Sequence, residues 1–233
     1  SRKTSLLTRN LFYKISRIAE MLKPIAIVGA GGLGKETAVL IRQINAMSPQ
    51  WNIIGFYDDG LKKGSQVAGL PVLGGVDDVN LQNNLNIVIA VGNPQVKEKV
   101  AKRITNPGID FPVIIHPQAL VGENVIVGKG CIIAAGCRLT VDIRLNDFVL
   151  LNLNTTVGHD VFIGNYTSVM PGVHLSGYVR IEEGVLIGTG ASVLQNLSIG
   201  PYSVIGAGAV VNRNVPARQT VAGVPARPLN KNK

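Results

Sequence analysis

The chain is short of acids, aromatics, cysteine and histidine. Fourteen Asp and Glu face 23 Lys and Arg, which leaves a formal charge of +9. Such a balance suits nucleic acid, a membrane surface or an acidic small molecule. The excess is concentrated, however: residues 1–23 hold six basic side chains against the single acid Glu20, which is +5 of the +9. Aromatics make up 5% of the chain, and no basic stripe with interleaved aromatics follows, so nucleic acid is not an expected partner. Two cysteines, Cys131 and Cys137, cannot build a disulfide framework. They read as small buried apolar residues of a chain expected in the cytoplasm. Three scattered histidines do not make a zinc site, which needs converging imidazoles, so no metal is expected. No apolar run reaches the ~18 residues of a membrane span. Residues 1–23 also lack the continuous apolar core of a signal peptide.

Three segments follow one another. In residues 1–22, Leu7, Leu11, Ile15, Ile18 and Leu22 recur at helical spacing opposite a basic face. This is expected to be a basic amphipathic extension: a linker, or a helix against a membrane surface or partner domain. Residues 23–115 alternate strand and helix. PIAIVGA, WNIIGFYDD, LNIVIAVGN and FPVII read as strands, and GGLGKETAVLIRQINAM and PQVKEKVAKRIT as helices, which implies a parallel sheet in a Rossmann-like domain.

Residues 116–233 are built differently. Counting in sixes from Val121 to Val211, all sixteen positions are aliphatic. This is the hexapeptide repeat of a parallel β-helix, about five coils of three hexads each. Glycine often follows the aliphatic residue, as at Gly122, Gly158 and Gly164, and is expected to allow the tight corners.

Gly29-Ala30-Gly31-Gly32-Leu33-Gly34 fits GxGxxG between a strand and a helix, and Asp58-Asp59 end the next strand. Glycines let the backbone approach a ligand, and the helix N-terminus attracts phosphate. With about four strands the domain is short for a dinucleotide, so a mononucleotide such as the uridine end of a nucleotide sugar fits better. An NAD-dependent enzyme lacks a second catalytic constellation to support it. Within the ladder, TVGHDVFIG sets His159 beside Asp160. An imidazole near neutrality is a natural general base, and an adjacent carboxylate can hold its tautomer. His174 is expected to be exposed, and His116 to serve local structure. AGVPARPL follows the last coil near Arg213, Arg218 and Arg227, basic residues suited to the phosphates of coenzyme A.

Taken in order, IAIVGAGGLG, GFYDD, IAVGN, NTTVGHDVFIG and AGVPARPL resemble the bacterial nucleotide-sugar acetyltransferases. That family includes UDP-4-amino-sugar N-acetyltransferases and sialic acid O-acetyltransferases. The resemblance implies that the β-helix is left-handed, binds acetyl-CoA and forms a homotrimer with active sites between subunits. It implies acetyl transfer to the amine of a UDP-4-amino-4,6-dideoxy sugar, in surface glycan or glycoprotein synthesis. Gly31, Gly32, Asp58, Asp59, Gly92 and Asn152 would then meet the UDP-sugar. His159 would be the base, oriented by Asp160, and Ser168, Gly177, Thr189 and Ala207 would lie along acetyl-CoA. Leu33 and Ser168 stand where family members carry histidine, which leaves the acceptor open. The alternatives are O-acetylation of a sialic acid or other sugar hydroxyl, and a β-helix that binds without catalysis.

Overall fold

A computed structural model describes residues 22–229. The amphipathic stretch expected at the N-terminus lies almost wholly outside them. The first part of the chain runs β1 (Lys23–Val28), α1 (Gly32–Met47), β2 (Trp51–Tyr57), β3 (Gln66–Val67), β4 (Leu70–Gly74), β5 (Leu85–Ile89), α2 (Pro94–Arg103) and β6 (Ile109–Asp110). The sheet order is β3-β4-β2-β1-β5-β6. All neighbours are parallel except the β3–β4 hairpin.

Alternation along β1 explains why both faces of this sheet are covered. Ile25 and Ile27 pack on the side of α1, with Phe56, Val88, Leu40 and Ile41. Ala26 and Val28 point the other way, toward Val100 and Ile104 at α2, with Tyr57, Ile87 and Ile89. Successive strand residues face opposite sides, so a strand buried on both must be apolar throughout, as IAIV is.

Two strands differ from the sequence reading. LPVLG (β4) is a strand that Pro71 and its flanking glycines obscure. FPVII does not end the sheet: its Ile114-Ile115 pair with Ile132-Ile133 and form the first rung of the β-helix. A short apolar run suits either neighbour equally, and only pairing decides.

The rest of the described chain is a three-faced parallel β-helix. Strands stack every 18 residues: Ile132 on Leu150, Arg138 on Thr156, Arg144 on Phe162. The first face runs from Ile114–Ile115 to Thr220–Ala222, the second from Leu120–Val121 to Val210–Val211, and the third from Ile126–Val127 to Ser198–Ile199. The hexad aliphatics fill the interior; Ile133, Leu151, Ile163, Ile181 and Ile199 are fully buried. The outward residues Ile114, Ile132 and Leu150 of the first face join the core under α1, so the α/β domain sits on that face.

The glycines of the ladder do not do what the sequence suggested. The corner is made by the fourth residue of each hexad, which takes φ near +60°: Asn124, Gly130, Gly136, Asp142, Phe148, Asn154, Asp160 and their successors. Gly122, Gly158 and Gly164, at the second position, have ordinary φ. Their requirement is steric: a Cβ on Gly164 would lie 2.6 Å from the backbone of Glu182 and Glu183 in the next coil. Stacking of coils demands these glycines, and turning of the chain demands the left-handed ones.

Candidate active site

At the end of β1, Gly29 has φ +96°, and a Cβ there would crowd the carbonyl of Ala90. A Cβ on Gly34 would strike the carbonyl of Gly29. Packing therefore fixes these two as glycine. Gly31 and Gly32 are exposed and would meet nothing within 4 Å, so the folded chain itself does not require them. Gly31 caps α1 without a side-chain bond. The first-turn amides of α1 follow this bare loop, an arrangement suited to phosphate.

The two acids after β2 part company. Asp58 accepts from the Ala30 amide (2.8 Å) and the Gly60 amide (2.8 Å), which ties the end of β2 to the glycine loop. Asp59 accepts from Val76 N and pairs with Arg103 at 2.6 Å, while Arg103 Nε donates to Asp77. Hydrogen bonds from the Arg103 guanidinium hold the Asp59 carboxyl below the usual carboxylate range. Asp59 is thus committed to α2 and to the turn after β4. Gly92 follows β5 and faces the solenoid: a Cβ there would touch Met170 Cε at 3.4 Å.

His159 and Asp160 occupy the corner that leads out of the second face. Asp160 holds the left-handed φ of +57° and accepts from His159 Nδ1 at 2.9 Å. Both side chains are substantially exposed. Gly177 lies one coil further on, where a Cβ would come within 2.5 Å of Nε2 and Cε1 of the imidazole. Tyr178 packs edge-on against the same ring, with centroids 5.0 Å apart and planes at 86°.

Asn152, Thr189 and Ala207 occupy the corner that leads into the second face. Asn152 is buried; its Oδ1 accepts from Leu153 N at 2.7 Å, and its carbonyl accepts from Thr155 Oγ1 and Cys137 Sγ. Thr189 and Ala207 are exposed two and three coils beyond Leu153. Beside Asn152 a cavity of about 390 Å³ opens between α1 and the first face, lined by Leu33, Leu40, His116, Leu150, Asn152 and Leu153 among others. His116 is held there, with Nε2 on Gln43 Oε1 and Nδ1 accepting from Gln118 N; burial lowers its pKa. His174 meets Thr156 Oγ1 on the second face. The predicted residues at the solenoid corners therefore form two groups on opposite edges of the second face, and one chain does not bring them together.

Ser168 departs from its expected place along acetyl-CoA. It is fully buried on the first face under α2, where Lys97 Nζ donates to its Oγ at 2.8 Å and to Thr167 O at 3.3 Å. The cover supplied by α2 closes it to any ligand. Lys97 itself escaped the sequence reading, because a lysine in VKEKVAKR looks solvated; it is 2% exposed, and burial lowers its amine to about 7. Tyr178 also escaped the sequence reading; only the 18-residue coil, which puts it over Asp160, could have signalled it. Cys131 and Cys137 are buried free thiols, pushed up by burial to about 12 and about 11. Among the described residues, no group of three or more His, Cys, Asp or Glu could hold a metal ion, and no helix is long and apolar enough to cross a membrane.

Comparison with known proteins agrees with this fold. The model of the PglD N-terminal domain matches residues 24–104, and that of the bacterial transferase hexapeptide (six repeats) matches residues 178–213. No curated protein matches the chain. Among solved structures, the acetyltransferase domain of PglB from Neisseria gonorrhoeae is 36% identical with a TM-score of 0.82, over 89% of this chain and 100% of that one. It has also been solved with acetyl coenzyme A. WeeI from Acinetobacter baumannii is 33% identical with a TM-score of 0.81, over 88% and 99% of the two chains. PerB from Caulobacter crescentus, in complex with CoA and GDP-perosamine, is 27% identical with a TM-score of 0.81, over 89% and 97%. A glycine-loop α/β domain seated on a left-handed hexapeptide β-helix, with these relatives over nearly its whole length, places the chain in the family of hexapeptide-repeat sugar acetyltransferases that carry a PglD-type N-terminal domain.

Proposed function

We propose that the chain transfers acetyl from acetyl-CoA to the amine of a UDP-4-amino-4,6-dideoxy sugar, with His159 as general base. The observation that carries this is the His159–Asp160 pair. Asp160 engages Nδ1 at an exposed corner. With the proton on Nδ1, the lone pair of Nε2 is left to accept one from the attacking amine. The amine nitrogen bonds to the thioester carbonyl carbon, the C–S bond breaks, and the proton taken by His159 passes to the departing thiolate.

Gly31 and Gly32 leave bare backbone for the diphosphate, and Asp58 stands behind that loop. Gly92 lies at the end of the neighbouring strand, on the side where β1 and β2 also end. Asn152 sits at the mouth of the cavity beside Leu33. We assign the acetyl-CoA arm to the backbone of Gly177 on one corner and of Thr189 and Ala207 on the other. These corners lie on opposite edges of one face, so this assignment calls for a second copy, and we propose a homotrimer with sites between subunits. The PerB structure supports a nucleotide sugar with CoA as the ligand pair. Uridine over guanosine follows from the resemblance, and the assay below separates the two.

His159→Ala should fold and assemble like the parent while kcat falls by about 10²–10⁴-fold. Thiol release from acetyl-CoA should be fast with a UDP-4-amino sugar, slower with GDP-perosamine and absent with UDP-GlcNAc. An unchanged kcat would remove His159 from the mechanism, and a response to hydroxyl acceptors alone would replace the amine.

A further inference from the structure

The imidazole of His159 is held from more sides than Asp160 supplies. A coil is 18 residues long here, since Val157 pairs with Leu175. Gly177 and Tyr178 therefore stack on His159 and Asp160. The Gly177 backbone passes so close to the imidazole that any Cβ would meet Nε2 and Cε1 at 2.5 Å. The Tyr178 ring stands at 86° to the imidazole, 5.0 Å between centroids, and the Tyr178 amide donates to the His159 carbonyl at 2.9 Å.

Tyr178 is out of keeping with its column. The equivalent corner residues are Asn124, Asp142, Asp160 and Asn196, small polar residues that tolerate left-handed backbone. Tyrosine at φ +58° is a poor choice for the turn. The other corner aromatics of the solenoid have packing partners: Phe148 stacks on Tyr166 and is buried, and Arg218 lies over Tyr202. Tyr178 is 57% exposed, and the described structure gives its ring one aromatic partner, the imidazole of His159.

We infer that Tyr178 is a positioning residue for the general base. A single hydrogen bond from Nδ1 to a carboxylate on the adjacent residue leaves the imidazole free to rock about that bond. The Gly177 backbone against one side and the Tyr178 ring against the edge remove that freedom, so Nε2 points in one direction. Edge-to-face aromatic contact is a weak but directional restraint, and proton transfer depends steeply on direction. The phenol hydroxyl has no part in this, so phenylalanine should serve. The inference rests on His159 being the base.

The test compares Tyr178→Phe, Tyr178→Ala, His159→Ala and the His159→Ala/Tyr178→Ala double variant by steady-state kinetics, with thermal melting and native mass as checks on folding. Tyr178→Ala should lower kcat by about 10-fold with KM for both substrates little changed, a loss from misdirection. Tyr178→Phe should restore most of it. In the His159→Ala background, removing the ring should change nothing further, because the ring acts only through the imidazole. An unaltered kcat in Tyr178→Ala overturns the inference. So does an equal loss in the His159→Ala background, which would mean that the ring touches substrate. A phenylalanine variant as slow as the alanine one would give the hydroxyl the role instead. If His159→Ala alone is fully active, the base assignment falls, and this inference with it. A slow His159→Ala beside a normal Tyr178→Ala sinks only the role of the ring.

Discussion

Lys97 lies in a helix that reads as solvated, yet its amine enters the first face of the solenoid and meets Ser168 and Thr167 rather than a carboxylate. Cys131 is the ionisable neighbour that acts on it, and burial keeps that thiol neutral, with a pKa of about 12. Burial without a counter-charge favours the neutral amine and lowers its pKa from 10.5 to about 7. The sign for stability follows from proton counts. Below pH 7 both the folded and unfolded chains carry the proton, and the folded state bears the full cost of a buried charge. Between about pH 7 and 10.5 the unfolded chain binds a proton that the folded one does not, so stability rises with pH through that window. The total is on the order of a few kcal/mol. Lys97→Met should therefore melt higher than the parent at pH 6.5, and the gap should narrow by pH 9. Thermal unfolding across that range checks it, and parallel pH curves for the two proteins would show that the amine does not titrate there.

Among elements, the coil corner separates two kinds of glycine that look alike in a sequence. Gly164 has ordinary φ, but its Cβ position is taken by the backbone of the next coil. Gly208 has φ +66° and open space around it. Gly164→Ala must force two coils apart, at about 3 kcal/mol. Gly208→Ala bears only the backbone strain, about 1 kcal/mol. Melting temperatures should rank the variants in that order, and the reverse order would mean that coil spacing is softer than stacked strands suggest. The repeat itself was legible because every sixth side chain must enter a core too narrow for anything but an aliphatic group. The use of its glycines was not, since the reason lies 18 residues away in another coil. The same limit hid β4 and misplaced Ile114-Ile115, whose pairing partners are distant in sequence. His159 and Asp160 were legible as a pair because they are adjacent; Lys97 on Ser168 was not, because α2 and the solenoid meet only in three dimensions.

For the whole molecule the question is how two separated groups of residues serve one reaction. His159 and Gly177 lie at the exit of the second face, and Asn152, Thr189 and Ala207 at its entrance. A β-helix is a stiff prism, braced by the strand ladders on every face, so no hinge brings one edge to the other. The proposed site must therefore join the exit corner of one copy to the entrance corner of the next. That arrangement makes a prediction about mixtures. His159→Ala chains keep a sound entrance corner, and Asn152→Ala chains keep a sound exit corner; each variant alone should be nearly inactive. When the two are co-expressed, or unfolded and refolded together in equal amounts, random assembly pairs two sound corners at about one site in four, because each corner is sound in half of the chains. Activity should recover to about a quarter of the parent per site, and it should appear only when the chains are mixed before assembly. A site contained in one chain would leave the mixture no more active than the two variants assayed apart, and the division of the residues between two corners would then be incidental to catalysis.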